Sequence, residues 1–347
     1  MAERRLATLL HISDLHFGDL DPDGDSVLDA DAEAWWAANE LFDGYLGHSG
    51  DALVQLTDSF AQLTSREEVT LVVTGDLTAV GKPSQFELAR QYLEAKISLD
   101  PANPVGLGVP DALTRTIPGN HDHWPGRRTI FGPPTQTLRR LFPDLPVRIQ
   151  RKQLAGTPAE LVLVLVNSDA DVRLGSPSRI LARGRFVSQL KDASRRLGPP
   201  RRHEIRVLLV HHSPMYKGRL PLQTMAVRPS SRKRLNRFIE RCGIAVMLTG
   251  HMHNVPAFHI RPVSNGGVSW SVLEARCGTT TQRDEPPPGW PGPTLKYQRR
   301  FKPATFLVHR LYELDDGTIE WRTTKYGRTL RGFRDQGSLC PAVAVWP

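Results

Sequence analysis

The chain has 347 residues, 39% of them hydrophobic, a formal charge of +9 and three cysteines. That length is ample for one large α/β domain or two smaller ones. Cys242, Cys277 and Cys340 are too few and too odd in number for a disulfide framework, which favours a cytoplasmic setting. No apolar stretch approaches the ~20 residues of a membrane helix. Met1-Ala2-Glu3-Arg4-Arg5 leads straight into the first strand without a signal-like core, so no membrane partner is expected.

Leu6 to Ile12 is an apolar run that stops at Ser13-Asp14-Leu15-His16-Phe17-Gly18, the pattern of a buried parallel strand feeding a loop. On an extended backbone Asp14 and His16, two apart, would point to one side and could face one metal ion. The acidic turn from Asp19 to Asp25 lacks the closing glutamate of a calcium loop and follows a strand, so no calcium site is expected there. Ala32 to Leu46 reads as a helix whose Trp35 and Trp36 suit packing better than base stacking, and Asp51 to Leu63 as a second. Val69 to Val73 is a β-branched run ending on Gly75-Asp76. Glycine lets the backbone turn sharply there, and one carboxylate can bridge two cations. Ser84 to Ile97 reads as a helix opened by a Ser84–Glu87 capping box, followed by a Pro/Gly loop from Pro101 to Pro110.

Thr116-Ile117-Pro118-Gly119-Asn120-His121-Asp122 is the most specific segment. The Asn120 amide oxygen is a neutral ligand, which limits charge build-up beside carboxylates. His121 projects differently and suits a non-ligand proton donor, with Asp122 placed to fix its tautomer or raise its pKa. Leu161 to Val166 is a strand ending at Asn167-Ser168-Asp169, and Phe186 to Leu197 a helix. Ile205 to Val210 is a strand ending on His211-His212; adjacent residues point opposite ways, so one of the two is a ligand and the other packs behind it. Ser230 to Cys242 is a helix stopped by Gly243. Ala245 to Thr249 ends at Gly250-His251-Met252-His253, again two imidazoles at His-x-His spacing. Beyond it, Pro256 to Ile260, Val268 to Ala275 and a hairpin of Thr305 to Leu314 with Thr318 to Thr324 read as strands, around a Pro/Gly-dense loop at Asp284 to Pro293. His123 lies beside the Asn120 motif, within reach of a substrate; His259 and His309 read as ordinary polar neighbours in strands. Singly, each motif could be an ordinary polar turn. Five at predicted strand ends are hard to assign to accident, because α/β folds place their chemistry at strand C-termini.

Together, Asp14-x-His16, Gly75-Asp76, Gly119-Asn120-His121-Asp122, His211/His212 and Gly250-His251-x-His253 resemble the calcineurin-like metallophosphoesterase superfamily over residues 7 to 255. The resemblance implies a two-sheet β-sandwich flanked by helices, of mixed α/β class. It implies two divalent cations: Asp14, His16 and His253 on one, Asn120, His251 and one of the 211/212 pair on the other, and Asp76 bridging. His212 is preferred because Pro214 follows it at the spacing seen in related enzymes, with His211 the alternative. His121, backed by Asp122, would protonate the leaving oxygen or stabilise the phosphate. The implied reaction is in-line attack of a metal-bridging hydroxide on a phosphoester. Mn, Fe and Zn all suit the donors.

Asp14-Leu15-His16-Phe17-Gly18 is similar to the opening of the bacterial cyclic-nucleotide phosphodiesterase branch, so a phosphodiester, with a cyclic nucleotide as one candidate, is the expected substrate. A phosphomonoesterase, a DNA or RNA nuclease and a non-catalytic interaction scaffold are the alternatives. The positive charge lies in scattered runs such as Arg139-Arg140, Arg195-Arg196 and Arg232-Lys233-Arg234, which read as solvated surface; no basic tail interleaved with aromatics favours nucleic acid. Residues 1–260 are expected to form the catalytic core. Residues 261–347 are expected to complete the second sheet and add a substrate-side loop and tail.

Overall fold

Strand alternation sets the layers. In β1 (Arg4–Ile12), Leu10 and Ile12 pack with Leu53, Leu56 and Phe60 of helix α1 (Gly50–Thr64) and Phe86, Ala89 and Leu93 of α2 (Pro83–Glu94), while Leu9 faces the other way. Two further pieces follow β2 (Val69–Val73) and the short helix α3 (Gln136–Leu141): strand β3 (Val147–Gln153) and strand β4 (Glu160–Val166). In β4, Leu161, Leu163 and Leu165 join Leu9, while Val162, Val164 and Val166 pack on helices α4 (Val187–Leu197) and α5 (Pro229–Cys242) through Leu190, Leu235 and Phe238. Side chains on a strand alternate between its faces, so the central strands of both sheets are buried on both sides. Helices, sheet, sheet and helices stack as four layers around three main apolar clusters. The computed structural model describes residues 3–20, 28–30, 47–97, 104–127, 132–143, 147–174, 183–214, 227–252, 256–282 and 304–346. The expected helix at 32–46 and the whole of the 284–293 loop fall outside them.

The remaining strands are β5 (Glu204–Val210), β6 (Ile244–Thr249), β7 (Ala257–Asn265), β8 (Val268–Arg276), β9 (Thr305–Glu313), β10 (Ile319–Thr329), β11 (Gly332–Ser338) and β12 (Val343–Trp346). One sheet runs β11-β10-β9-β1-β2 with β12 on β10, and the other β3-β4-β5-β6-β8-β7. Among the named strands, parallel pairing joins β1 to β2 and runs through the β4-β5-β6-β8 centre of the second sheet. The strands that carry the motifs are thus shared between two facing sheets. The expected division at 260/261 falls inside β7, and β9 pairs antiparallel with β1. The last four strands complete the sheet that β1 and β2 begin, while β7 and β8 belong to the other.

Local chemistry closes the helix ends. Ser49 caps α1 by accepting from the Ala52 N–H. The expected Ser84–Glu87 box does not form: Pro83 opens α2, Ser84 donates to Asp19, and Glu87 pairs with Arg90. Gly243, at φ 59°, ends α5 as expected. The buried Arg206 guanidinium donates to the carbonyls of Leu197, Gly198, Pro199 and Cys242, satisfying the C-terminal ends of α4 and α5. Among the described residues no helix is long and apolar enough to cross a membrane.

Candidate metal centre

The parallel β1/β2 pairing continues past both strands. Thr74 N donates to Ile12 O, Asp14 N to Gly75 O, His16 N to Asp76 O and Phe17 N to Leu77 O, at 2.8–3.1 Å. Along this extension Asp14, His16 and Asp76 adopt φ of 52°, 48° and 50°. The backbone is therefore not extended at Asp14 and His16. Left-handed turns, rather than strand alternation, bring both side chains to one place.

From the second sheet, β5 delivers His211 and β6 delivers Gly250-His251, with His251 at φ 73°. The third motif follows a single bridge, Thr116 to Val73, rather than a full strand. Two glycines permit the close approach of these loops. A Cβ on Gly250 would sit 1.9 Å from Ser13 Oγ and 2.7 Å from Asp14 Oδ2. One on Gly119 would sit 2.2 Å from Asp76 Oδ1.

Asp76 is the centre of the arrangement. His16, Asp76 and His121 place ligand-type atoms within 4.8 Å of one another, and so do Asp76, His211 and His251. His211 Nε2 lies 3.2 Å from Asp76 Oδ2, and His16 Nε2 lies 3.9 Å from that same oxygen and 4.0 Å from Asp14 Oδ1. The Asn120 amide oxygen is 2.9 Å from His251 Nδ1 and 3.2 Å from His211 Nε2. The His251 N–H donates to Asp14, whose Oδ2 also accepts from Ser13 Oγ at 2.6 Å. Asp14, His16, Asp76 and His211 are wholly buried. Among the described residues, Asp76 Oδ2 receives no hydrogen bond in that setting. Imidazoles, carboxylates and an amide oxygen converging on a buried, unsatisfied carboxylate oxygen fit divalent cations.

Burial by itself would raise the Asp76 carboxyl, but His211, His121 and His16 outweigh it and hold it well below the usual carboxylate range. Burial would likewise lower His211; Asp76 and Asp14 overcome this and push it up to about 10. Asp122 is pushed up to about 7 by burial and by Asp76, against the backbone N–H groups that favour its anion.

Two expectations meet a different geometry. His212, the preferred ligand, turns away from Asp76: its Nδ1 lies 2.7 Å from Ser168 Oγ and 3.3 Å from Asp169 Oδ2. It is His211 that reaches Asp76 and Asn120, with its Nδ1 donating to Thr74 O at 2.6 Å. Asp122 does not supply the expected hydrogen bond to the His121 ring. It accepts from the backbone of Leu77, Thr78 and Gly119 and from the Thr78 hydroxyl. The His121 ring donates instead from Nδ1 to Ala79 O at 2.9 Å, and its backbone N–H to Asp76 Oδ1 at 2.8 Å. His253 lies outside the described residues.

Other contacts were not anticipated. Asn167-Ser168-Asp169, at the tip of β4, forms a further polar turn on the site: Ser168 holds His212, and Asn167 pairs with His123 at 3.1 Å. Its position at a strand end was the available signal. His309 is fully buried, lying between His11 and Thr323.

A family model for calcineurin-like phosphoesterases matches residues 7–255. No curated protein matches the chain in sequence. Similar solved structures include purple acid phosphatase PPD1 from yellow lupin (Lupinus luteus) seeds, at 13% identity and a TM-score of 0.49, with 96% of this chain and 53% of that one aligned. This chain thus spans about half the length of the lupin protein. The calcineurin-like phosphoesterase YfkN of Bacillus subtilis aligns at 12% identity and 0.39, over 99% of this chain and 92% of that one. A putative 5'-nucleotidase of Staphylococcus aureus aligns at 12% and 0.36, over 100% and 55%. These likenesses are too distant to carry function. The match of the family model covers most of the sequence: the chain belongs to the calcineurin-like phosphoesterase family, a family of metal-dependent phosphoesterases.

Proposed function

We propose that the chain hydrolyses phosphoesters, diesters in preference to monoesters, using two divalent cations in neighbouring pockets that share Asp76. The observation that carries this reading is the convergence of His16 and His211 on one buried oxygen of Asp76, which accepts no hydrogen bond among the described residues. Asp14, His16 and Asp76, with His253, are the residues assigned to one cation. Asp76, Asn120, His211 and His251 are assigned to the other, and Mn, Fe and Zn all suit this donor set. When bound, such a pair supplies an activated water at neutral pH and neutralises charge on the phosphoryl oxygens.

The side chains divide the remaining work. With its Nδ1 proton on the Thr74 carbonyl, His211 aims Nε2 at Asp76 and Asn120, where a bound cation would take the place of the Nε2 proton. With Nδ1 on the Ala79 carbonyl, His121 presents Nε2 as the atom that gives a proton to the leaving oxygen. Asp122 acts one step back, fixing the Leu77–Thr78 and Gly119 backbone from which Asp76 and His121 project. The diester preference is supported by the Asp14-Leu15-His16-Phe17-Gly18 opening, and a cyclic nucleotide is the first natural diester to try, in a cytoplasmic setting.

The test compares bis-p-nitrophenyl phosphate with p-nitrophenyl phosphate, using chelator-stripped protein supplied with Mn, Fe or Zn. Metal-dependent turnover favouring the diester is expected. Turnover of the monoester alone would replace the diesterase with a phosphatase, and no turnover with both cations bound would argue for a scaffold.

A further inference from the structure

The left-handed turn at Asp14–His16 is held on its second side by three consecutive threonines that no motif of the family reading includes. The Thr279 hydroxyl donates to Asp14 O at 2.9 Å, and the Thr281 hydroxyl to Leu15 O at 2.6 Å. Between them, Thr280 accepts from Ser13 N through its hydroxyl at 3.1 Å and donates from its backbone N–H to Ser13 O at 3.0 Å. All three side chains are buried. The triplet is itself anchored at both ends: Thr305 N, at the start of β9, donates to Thr279 O at 2.8 Å, and Ser49 N, the cap of α1, donates to Thr281 O at 2.8 Å.

β2 supplies the opposite jaw, because Asp14 N and His16 N donate to Gly75 O and Asp76 O. N–H groups on one side and carbonyl groups on the other are therefore both satisfied only while Asp14 and His16 keep positive φ. Rotating this turn to an extended backbone would strand the carbonyls of Asp14 and Leu15 in a dry interior, where an unpaired polar group is costly. It would also carry the Asp14 and His16 side chains away from Asp76.

We infer that Thr279 and Thr281 are positioning residues: their hydroxyls lock the Asp14–His16 turn in its left-handed form and so pre-organise the cation pocket that Asp14 and His16 form with Asp76. This rests on the dimetal reading of the site. It assigns the two hydroxyls no contact with substrate.

The experiment compares T279V/T281V with T279S/T281S in the full chain. Valine keeps the volume and removes the donor, whereas serine keeps the donor. Mn binding to chelator-stripped protein is measured by calorimetry, and amide hydrogen exchange of residues 13–17 is followed without metal. The valine variant is expected to bind Mn at least ten times more weakly, with faster exchange at Asp14 and His16; the serine variant is expected to stay within about twofold of the parent. T323V serves as a control, since it removes a comparably buried hydroxyl that hydrogen-bonds His309. It should lower thermal stability and leave Mn affinity unchanged. Parent-like Mn affinity in a folded valine variant would overturn the assignment, as would equal weakening in T323V. If the parent itself takes up none of Mn, Fe and Zn, the dimetal reading fails on its own. The lock then stands or falls on whether exchange at Asp14 and His16 quickens in the valine variant and not in the serine one.

Discussion

Gly119→Ala is the substitution whose effect can be worked most directly from the structure. The added Cβ would lie 2.2 Å from Asp76 Oδ1, 2.5 Å from Asp76 N and 2.7 Å from Asp76 Cγ. A flexible neighbour could swing aside, but Asp76 N is backbone, and it belongs to the segment whose carbonyl accepts from His16 N. To reach even a tight 3.0 Å contact the two chains must part, and Asp76 Oδ1 must withdraw from the His121 N–H it accepts at 2.8 Å. Overpacking of this kind costs about 1–3 kcal/mol, and weakening a charge-assisted hydrogen bond adds about 1.5 kcal/mol or more. A loss of about 3 kcal/mol is expected in urea denaturation of the metal-free protein. Because Asp76 belongs to both proposed pockets, the metal content after loading and gel filtration should fall for both cations, not one. A Gly119→Ala protein with the parent's denaturation midpoint and full metal content would show that Asp76 is not held as the geometry describes.

His211→Ala should lose more metal than His212→Ala, as read by elemental analysis; the reverse order would return the ligand role to His212. His121→Ala should retain both cations and slow hydrolysis, most for esters with poor leaving groups, whereas loss of a cation would make His121 a ligand instead. Burial lowers the His11 pKa to about 3, so the unfolded chain binds a proton there that the native one refuses. Stability from this site is complete above about pH 6.5 and is lost as pH falls toward 3, with a slope of about 1.4 kcal/mol per pH unit. His11→Gln should flatten that part of the stability profile of metal-free protein, and an unchanged slope would place the acid sensitivity elsewhere.

The strands were the legible part of this molecule, because β1, β2, β4, β5 and β6 are largely apolar and buried on both faces toward their C-terminal ends. β3 went unread: its Val-Arg-Ile-Gln-Arg-Lys-Gln sequence is that of an edge strand with much of its surface in solvent. The 211/212 choice was not legible for a different reason. Alternation says that the two histidines diverge, yet only the facing of the two sheets decides which one meets Asp76. The turn carrying Thr74 comes from the opposite sheet and captures the nearer imidazole, His211. His309 follows the same logic. Flanked by Leu307 and Leu311 at two-residue spacing, it falls on the inter-sheet face, where His11 and Thr323 supply its partners.

Apart from the turn that Gly75 marks, backbone conformation at the site carried no sequence signal. Among the described residues, five other than glycine adopt positive φ, and four of them are Asp14, His16, Asp76 and His251. A residue with a Cβ pays about 1–2 kcal/mol for the left-handed form, so glycine would be the cheaper choice at each. Glycine has no ligand atom. The turns must therefore be over-determined from outside, as the β2 backbone and the Thr279–Thr281 hydroxyls do for Asp14 and His16. Strained residues persist where surrounding structure fixes them, and such sites tend to be functional. Here the strain coincides with crowding of buried imidazoles and carboxylates on Asp76, a second unfavourable arrangement in the same few residues. Two independent costs falling on one set of ligand-type side chains are better explained by a bound cation than by packing, since packing alone would be served by apolar residues at relaxed φ.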